Sequence, residues 1–410
     1  MEKNFNTLDD LPAPEGKTVF VRVDINSPIK DGLPQPGPRF AECAATIREL
    51  AKRGARVIVL AHQGRPGDED FTSLEAHAAL LSKAVKKKVK FVPDLYGAFA
   101  LAAIAKTKNG KILLLENTRF YAEETLDKDW DKTLMAKKLA SVGQAFVNDA
   151  FSVSHRPQTS VVGLPALLPA FAGRSLEREL NALQKATVNP ERPVVYVLGG
   201  GKPDDCFKIL KHVTTASGEN SDAGGIADKV LLGGVIGELA VIASGKSLGA
   251  KREWLEEKGF AKLLPELKKI ADEHGHKLVL PTDFAFADAD GIRVEVRAEE
   301  LKGSEKIFDV GSKTASAFAS EIKAARTVYF KGPVGRYEET AFELGTRLVL
   351  KAIESSKAFS LMGGGNTFDA CEKFGVNKKR IGHLSTSGGA LLAFLGGETL
   401  PGIEALKPKR

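Results

Sequence analysis

The stretch Pro193-Val-Val-Tyr-Val-Leu-Gly-Gly-Gly-Lys202-Pro-Asp-Asp-Cys-Phe-Lys-Ile-Leu210 lies near the middle of the chain and reads as a strand, a tight turn and the start of a helix. Val194 to Leu198 are apolar, β-branched or aromatic, and bounded by Pro193 and by glycine, as in a buried parallel strand. Gly199, Gly200 and Gly201 let the backbone turn sharply and come close to a ligand. Pro203 suits the first helical position, and Phe207 and Leu210 give the following helix an apolar face. A strand, a glycine turn and a helix N-terminus together form an anion site, and Lys202 adds a positive charge at its mouth. The turn is no Walker A loop, since no Ser or Thr follows the lysine, and it lacks the Gly-x-Gly-x-x-Gly spacing of a dinucleotide fold. A triple glycine alone could be an ordinary turn, but Phe359-Ser-Leu-Met-Gly-Gly-Gly-Asn366-Thr367 repeats the pattern downstream.

At 410 residues the chain exceeds what one hydrophobic core usually serves, so two domains are expected. No apolar run is long enough to span a bilayer, and the opening Met-Glu-Lys-Asn-Phe-Asn is not a signal peptide. Cys43, Cys206 and Cys371 have neither metal nor disulfide spacing, which points to a reducing, cytoplasmic setting. A formal charge of +7 suits either small anionic substrates or nucleic acid. No basic block is longer than the three residues of Lys86-Lys-Lys88 and few aromatics interleave with basic residues, so a phosphorylated metabolite is the leading partner.

Towards the N-terminus, short apolar runs alternate with amphipathic ones. Strands are predicted at Thr18–Val23, Ala55–Ala61, Lys111–Leu115 and Ala145–Val147, and helices at Phe40–Arg53, Leu74–Lys86 and Leu134–Val142. This alternation predicts a parallel sheet with helices on both faces, in which ligands sit beyond the carboxyl ends of the strands. The segments that follow the strands are Asp24-Ile-Asn26, His62-Gln-Gly-Arg65, Glu116-Asn-Thr-Arg119 and Asn148-Asp149 running on to His155-Arg156. Singly, each Arg reads as a solvated side chain, His62 as a structural histidine and Asp24 as a turn former. Solvated charges have no reason to choose one edge, so the shared placement is the signal. Guanidinium groups gathered there, with Arg39 from the loop before the first helix, would bind phosphate or carboxylate, while Asp24 and Asn26 accept from a hydroxyl.

Arg174–Asn189 is predicted as a connecting helix with Leu176, Leu180 and Leu183 on one stripe. Beyond it, strands end in glycine rather than arginine: Lys229–Leu232, Lys306–Val310, Thr327–Phe330, Ala358–Met362 and Ile381–Leu384, with Lys277–Leu280 leading into Pro281-Thr-Asp283. A glycine-lined edge suits a planar base and a polyphosphate chain held by backbone groups. No nucleophile–base pair or metal cluster is evident, and no residue is assigned as a metal ligand. Phosphoryl transfer to an ionised carboxylate needs no general base, so positioning and charge neutralisation by Arg39 and Lys202 would suffice, with domain closure to expel water.

The chain resembles the phosphoglycerate kinase family over essentially its whole length. The resemblance rests on Val21-Arg-Val-Asp-Ile-Asn-Ser-Pro28, Ala61-His-Gln-Gly-Arg-Pro66, Glu116-Asn-Thr-Arg-Phe120, Asn148-Asp-Ala-Phe-Ser-Val-Ser-His-Arg156, Leu198-Gly-Gly-Gly-Lys202, Leu280-Pro-Thr-Asp283, Lys331-Gly-Pro-Val-Gly-Arg-Tyr-Glu338, Gly363-Gly-Gly-Asn-Thr367 and Ser385-Thr-Ser-Gly-Gly389. It implies an α/β protein of two Rossmann-like three-layer domains with parallel sheets, joined by a helix and a hinge. The expected 3-phosphoglycerate domain is 1–173 plus a returning tail at 396–410, the connecting helix is 174–189, and the nucleotide domain is 190–395. The implied reaction is reversible transfer between ATP and the carboxylate of 3-phosphoglycerate, giving 1,3-bisphosphoglycerate and ADP, with Mg²⁺. By motif match the acid would meet Asp24, Ile25, Asn26, Arg39, His62, Gln63, Gly64, Arg65, Arg119 and Arg156. The nucleotide would meet Gly200, Gly201, Lys202, Gly233, Gly311, Gly332, Pro333, Glu338, Gly364, Gly365, Asn366 and Thr367, with Glu338 on the ribose. Arg39 and Lys202 would carry catalysis, and a monomer with no nucleic-acid or membrane partner is expected.

The chain departs from the common pattern of the family at four positions. Cys206 stands where many members have a second lysine, Asn366 replaces a common aspartate, Lys331 a common asparagine and Ser387 a glycine of the hinge region. These choices are similar to those of archaeal members, and Lys331 and Lys208 are the candidates to supply the missing charge. A kinase of another small carboxylate and a non-catalytic paralogue that binds nucleic acid remain as alternatives.

Overall fold

A computed structural model describes residues 5–188, 190–215, 226–301 and 305–407. Met1–Asn4, Asn189 (read as the end of the connecting helix) and the last three residues of the tail lie outside this description. The chain divides into two compact units, Met1–Leu180 with Thr399–Arg410, and Asn181–Glu398.

The first unit is built on six parallel strands in the order Val89–Val92, Ile112–Leu115, Arg56–Leu60, Thr18–Val23, Ala145–Asp149 and Ala170–Ala172. Thr18–Val23 is buried along its whole length and pairs with Arg56–Leu60 on one side and Ala145–Asp149 on the other. The chain leaves this strand in one direction and later returns to pair on its other side, so a switch point falls at its carboxyl end, where such sheets take ligands. Two apolar clusters cover the two faces of the sheet, one around Val19, Val21 and Ile47, the other around Phe20, Leu113 and Phe146.

The second unit has the same plan. Its parallel order is Leu278–Val279, Lys229–Leu232, Val194–Leu198, Thr327–Lys331, Phe359–Gly363 and His383–Ser385, with the switch point between Val194–Leu198 and Thr327–Lys331. Pro203 opens the helix Pro203–Thr215, with Phe207 and Leu210 on its buried side. The helix Arg174–Thr187 buries Leu176, Leu180 and Leu183, the stripe read from the sequence.

The structure differs from the sequence reading in several elements. Val89–Val92 and Ala170–Ala172, the two edge strands of the first sheet, and the helix Ala98–Ala105 are additional. Ile307–Val310 does not join the parallel sheet. It pairs antiparallel with Asp283–Ala287, which also pairs with Arg293–Arg297, and the three strands form a separate small sheet. Asp283, read as part of a strand-end loop, begins one of these strands. Its carboxylate accepts from the amides of Lys313 and Thr314 at 3.0 and 2.8 Å, capping the helix Ser312–Ala324.

Candidate functional site

In the first unit the strand-end segments are tied together before any ligand is considered. The Asn26 side chain accepts from Gly64 N at 2.8 Å, and Asp24 accepts from Asn26 N at 3.0 Å. Arg39 Nη1 lies 3.1 Å from an Asp24 carboxylate oxygen and donates to Asn26 O at 2.9 Å. Ser152, from the segment after Ala145–Asp149, also donates to Asp24. Gln63 is buried and spans Ser27 and Asp70, while Asn117 bridges Gln63 and Thr72. Gly64 has φ +65°, and a Cβ there would lie 2.6 Å from Asp70 O, so this turn requires glycine. Ile25, expected at the acid, is fully buried in the core.

The cationic groups do converge. His62 is buried, and its pKa is held well below the usual imidazole value by burial, then by Arg22, Arg119, Arg156 and Arg39. Its Nδ1 stands 3.1 Å from Arg22 Nη2, and because a guanidinium only donates, that nitrogen accepts and the ring proton sits on Nε2. Thus His62 is a neutral donor rather than a cation. Arg119 is lowered to about 10 by burial and by its neighbours Arg156 and Arg22, with Arg65 also within electrostatic reach. Arg156 is lowered by burial and by Arg65. Several guanidinium groups that depress one another form a site that favours a multiply charged anion.

Arg22 is the residue that reading strand ends does not find, since it lies within the strand itself. It is fully buried, donates through Nε to Ser160 Oγ at 2.8 Å, and has the buried Glu124 at 4.0 Å. Glu124 in turn accepts from Ser160 N and Oγ at 2.9 and 2.6 Å. A charged residue inside an otherwise apolar parallel strand was the available signal.

In the second unit three glycine turns interlock. Gly199 N donates to Lys331 O at 2.8 Å, Gly200 N to Pro333 O at 2.7 Å and Gly234 N to Val334 O at 3.1 Å. Gly332 has φ +80°, and a Cβ on it would fall 2.4 Å from Gly199 O. The Thr367 hydroxyl accepts from Gly332 N at 3.0 Å and ties the second triple glycine to the same place. Beside these turns lies a cavity of about 650 Å³ within this unit. Of the residues expected at the nucleotide, Gly200, Gly201, Pro333, Glu338 and Asn366 line it. Lys202, Gly364, Gly365 and Thr367 sit at helix N-termini outside its lining. Gly233, Gly311 and Gly332 serve packing, where a Cβ would meet Val334, Asp283 and Gly199. The cavity wall also contains Glu238, Lys251, Trp254, Phe284 and Phe308, none of which carried a sequence signal.

The two lysine candidates separate here. Lys331 is buried, with Nζ 3.3 Å from Cys206 Sγ and 3.8 Å from Asp205, and the Cys206 thiol donates to Gly199 O at 3.1 Å. Lys208 is exposed and pairs with Glu398 at 3.2 Å. Among the described residues no group of three or more His, Cys, Asp or Glu is arranged to hold a metal ion, and no helix is long and apolar enough to cross a membrane.

A guanidinium-lined strand edge for a small anion and a glycine-paved edge beside helix N-termini for a polyphosphate define a nucleotide-dependent phosphotransferase. The family model described as phosphoglycerate kinase matches residues 8–398, and the chain belongs to that family. It is 41% identical to a phosphoglycerate kinase of Methanothermobacter thermautotrophicus, over 99% of this chain and 97% of the relative. It is also 41% identical to one of Pyrococcus abyssi, over 95% of both chains. Its fold superposes on a crystal structure of phosphoglycerate kinase from Pyrococcus horikoshii with TM-score 0.85 and 38% identity, and on that from Coxiella burnetii with TM-score 0.84 and 33% identity, each covering 98% of both chains. These relatives do not favour the nucleic-acid or other-carboxylate readings.

Proposed function

We propose that the chain catalyses reversible phosphoryl transfer between ATP and the carboxylate of 3-phosphoglycerate, giving 1,3-bisphosphoglycerate and ADP. The observation that carries this reading is the convergence of Arg22, Arg39, Arg119 and Arg156 on the neutral His62. Arg65, Arg119 and Arg156 take the phosphate of the acid, His62 donates through Nε2–H, and Asp24 and Asn26 accept from its hydroxyl. Residues 1–173 with the tail serve as the acid domain and 190–395 as the nucleotide domain, Glu338 and the glycine turns holding ATP.

The acceptor carboxylate is ionised at neutral pH, so no residue has to remove a proton from it. What the reaction needs is in-line placement and neutralisation of the charge spread over the transferring group. Arg39 supplies this from the acid side and Lys202 from the nucleotide side. Lys331 takes over the charge that Cys206 does not carry, and closure of the domains about a hinge brings donor and acceptor into line. The neutral amide of Asn366 and the hydroxyl of Thr367 are the groups that would meet a magnesium ion accompanying the nucleotide, whose charge would offset that of the phosphates. The buried thiols of Cys43, Cys206 and Cys371 fit a reducing, cytoplasmic setting, and the enzyme works as a monomer. A coupled assay with ATP, Mg²⁺ and 3-phosphoglycerate should show ADP formation that depends on the acid. Its absence in folded protein would end this reading.

A further inference from the structure

Gln63, expected to touch the acid, uses the hydrogen-bonding groups of its side chain inside the protein. The side chain is fully buried. Its Oε1 accepts from Ser27 N at 2.9 Å, and its Nε2 donates to the carbonyls of Ser27 and Asp70 at 3.0 and 3.1 Å. A main-chain N–H only donates and a carbonyl only accepts, so the amide cannot be turned over. The fully buried His77, on the helix Glu75–Val85, places Nε2 3.0 Å from the same Oε1. That oxygen can only accept, so His77 carries its proton on Nε2. Its Nδ1 is then a bare lone pair, buried with no hydrogen-bond partner. Burial lowers the His77 pKa to about 4 and so keeps the ring neutral.

For packing alone a histidine is a poor choice here. The unpartnered nitrogen carries a desolvation penalty, and an apolar side chain would pack beside the Phe40 ring, 6.3 Å away between centroids, without it. Nor does Gln63 Oε1 need the histidine for satisfaction, since Ser27 N already supplies a donor. What His77 adds is an anchor. Ser27 and Asp70 lie in irregular segments, so their bonds to Gln63 join loop to loop, whereas the bond from His77 joins both to a helix. The anchored loop leads directly to the acid edge. Ser27 follows Asn26, whose side chain accepts from Gly64 N at 2.8 Å and whose carbonyl accepts from Arg39 Nη1 at 2.9 Å. A shift of Ser27 therefore carries Asn26 with it and disturbs the seat of Arg39.

We propose that His77 is a positioning residue for the acid edge: by donating to Gln63 it holds the Asp24–Pro28 segment, and with it Asn26 and Arg39, in the pose that receives the acid. His77 touches no substrate and acts through Gln63 and Ser27. The inference rests on the kinase reading for the identity of the acid.

The test compares the full-length protein with its His77→Leu and His77→Gln variants. His77→Leu should raise KM for 3-phosphoglycerate by roughly 3- to 10-fold, the range for one lost neutral hydrogen bond, and leave KM for MgATP unchanged. A merely structural residue would lower the amount of folded enzyme, and so kcat, with both KM values intact. His77→Gln, whose amide can donate from the same place, should restore KM for the acid. In a Gln63→Leu background, His77→Leu should raise that KM no further, because the histidine acts through the amide. Should the leucine variant not fold, His77→Met serves the same purpose. An unchanged KM for the acid in His77→Leu, or no rescue by His77→Gln, would overturn the proposal. Amide hydrogen exchange without substrate separates this outcome from a failure of the kinase reading: Ser27 and Gly64 should lose protection in His77→Leu while Thr18–Val23 keeps it. Lost protection in a protein without turnover sustains the positioning role and removes the activity, whereas turnover with protection and KM unchanged does the reverse.

Discussion

The two strand edges carry positive potential by opposite means. In the first unit it lies on side chains: several arginines crowd near His62 and depress one another. In the second unit backbone amides and helix N-termini supply most of the positive potential, and few full charges stand by the turn, chiefly Lys202 and the Asp205-paired Lys331. A guanidinium edge recognises a compact dianion by matching its geometry. A glycine edge follows an extended polyphosphate at close range, because nothing projects from it. The difference also locates vulnerability. Removing an exposed arginine such as Arg65 withdraws a charge without touching the backbone, whereas changing a glycine such as Gly332 disturbs the backbone itself.

The comparison breaks most sharply at the charges proposed to act on the transferring group. Arg39→Ala and Lys202→Ala should each lower kcat by roughly 100-fold or more, as expected when one preorganised charge is withdrawn from a transition state. Near-normal turnover in either variant refutes that role. A smaller effect should distinguish the two lysines of the second unit. Lys331→Met should lower kcat by about tenfold, while Lys208→Ala, which breaks only an exposed pair with Glu398, should leave turnover within about twofold. Equal effects from the two substitutions would mean that the ammonium beside Cys206 plays no part in transfer.

The smallest expected effect is on stability against pH, and it has opposite signs in the two units. Burial lowers His77, in the first unit, from 6.5 to about 4. The unfolded chain then takes up a proton before the folded one, so the stability His77 supports is present above pH 6.5 and lost as pH falls towards 4. Burial raises Glu238, in the second unit, from 4.5 to about 7, with Lys251 opposing the shift. Here the folded protein keeps its proton longer, so stability is greatest below pH 4.5 and is lost as pH rises towards 7. Urea unfolding of His77→Gln and Glu238→Gln, each set against the unaltered protein across this window, should give differences sloping in opposite directions, by about 1 kcal/mol per pH unit at the steepest. Slopes of the same sign would show that other groups govern the response.

Much of this was legible in the chain before folding. Thr18–Val23, Val194–Leu198 and Lys229–Leu232 are mostly apolar runs followed by polar or glycine residues, and they are strands with those bounds. Leu134–Val142 is likewise the helix its periodicity predicts. Val89–Val92 was not legible, because Lys86 to Lys88 and Lys90 hide a short edge strand in a basic run. The small antiparallel sheet was also missed. Arg293–Arg297 alternates charge with valine and is nowhere buried, so it lacks the apolar run that marked the other strands.

What the sequence by itself determined was local: the strand and helix periods, the glycine turns and the polar residues following each strand, because these depend on neighbours within a few positions. Only the tertiary structure decided that Arg22, His62, Arg119 and Arg156 share one electrostatic environment. It also decided that Lys331 rather than Lys208 reaches Cys206, and that Glu238 meets Lys251 in a cavity wall. The reason is physical. Burial and charge pairing depend on distances between segments far apart in the chain, and a one-dimensional pattern contains no such distances.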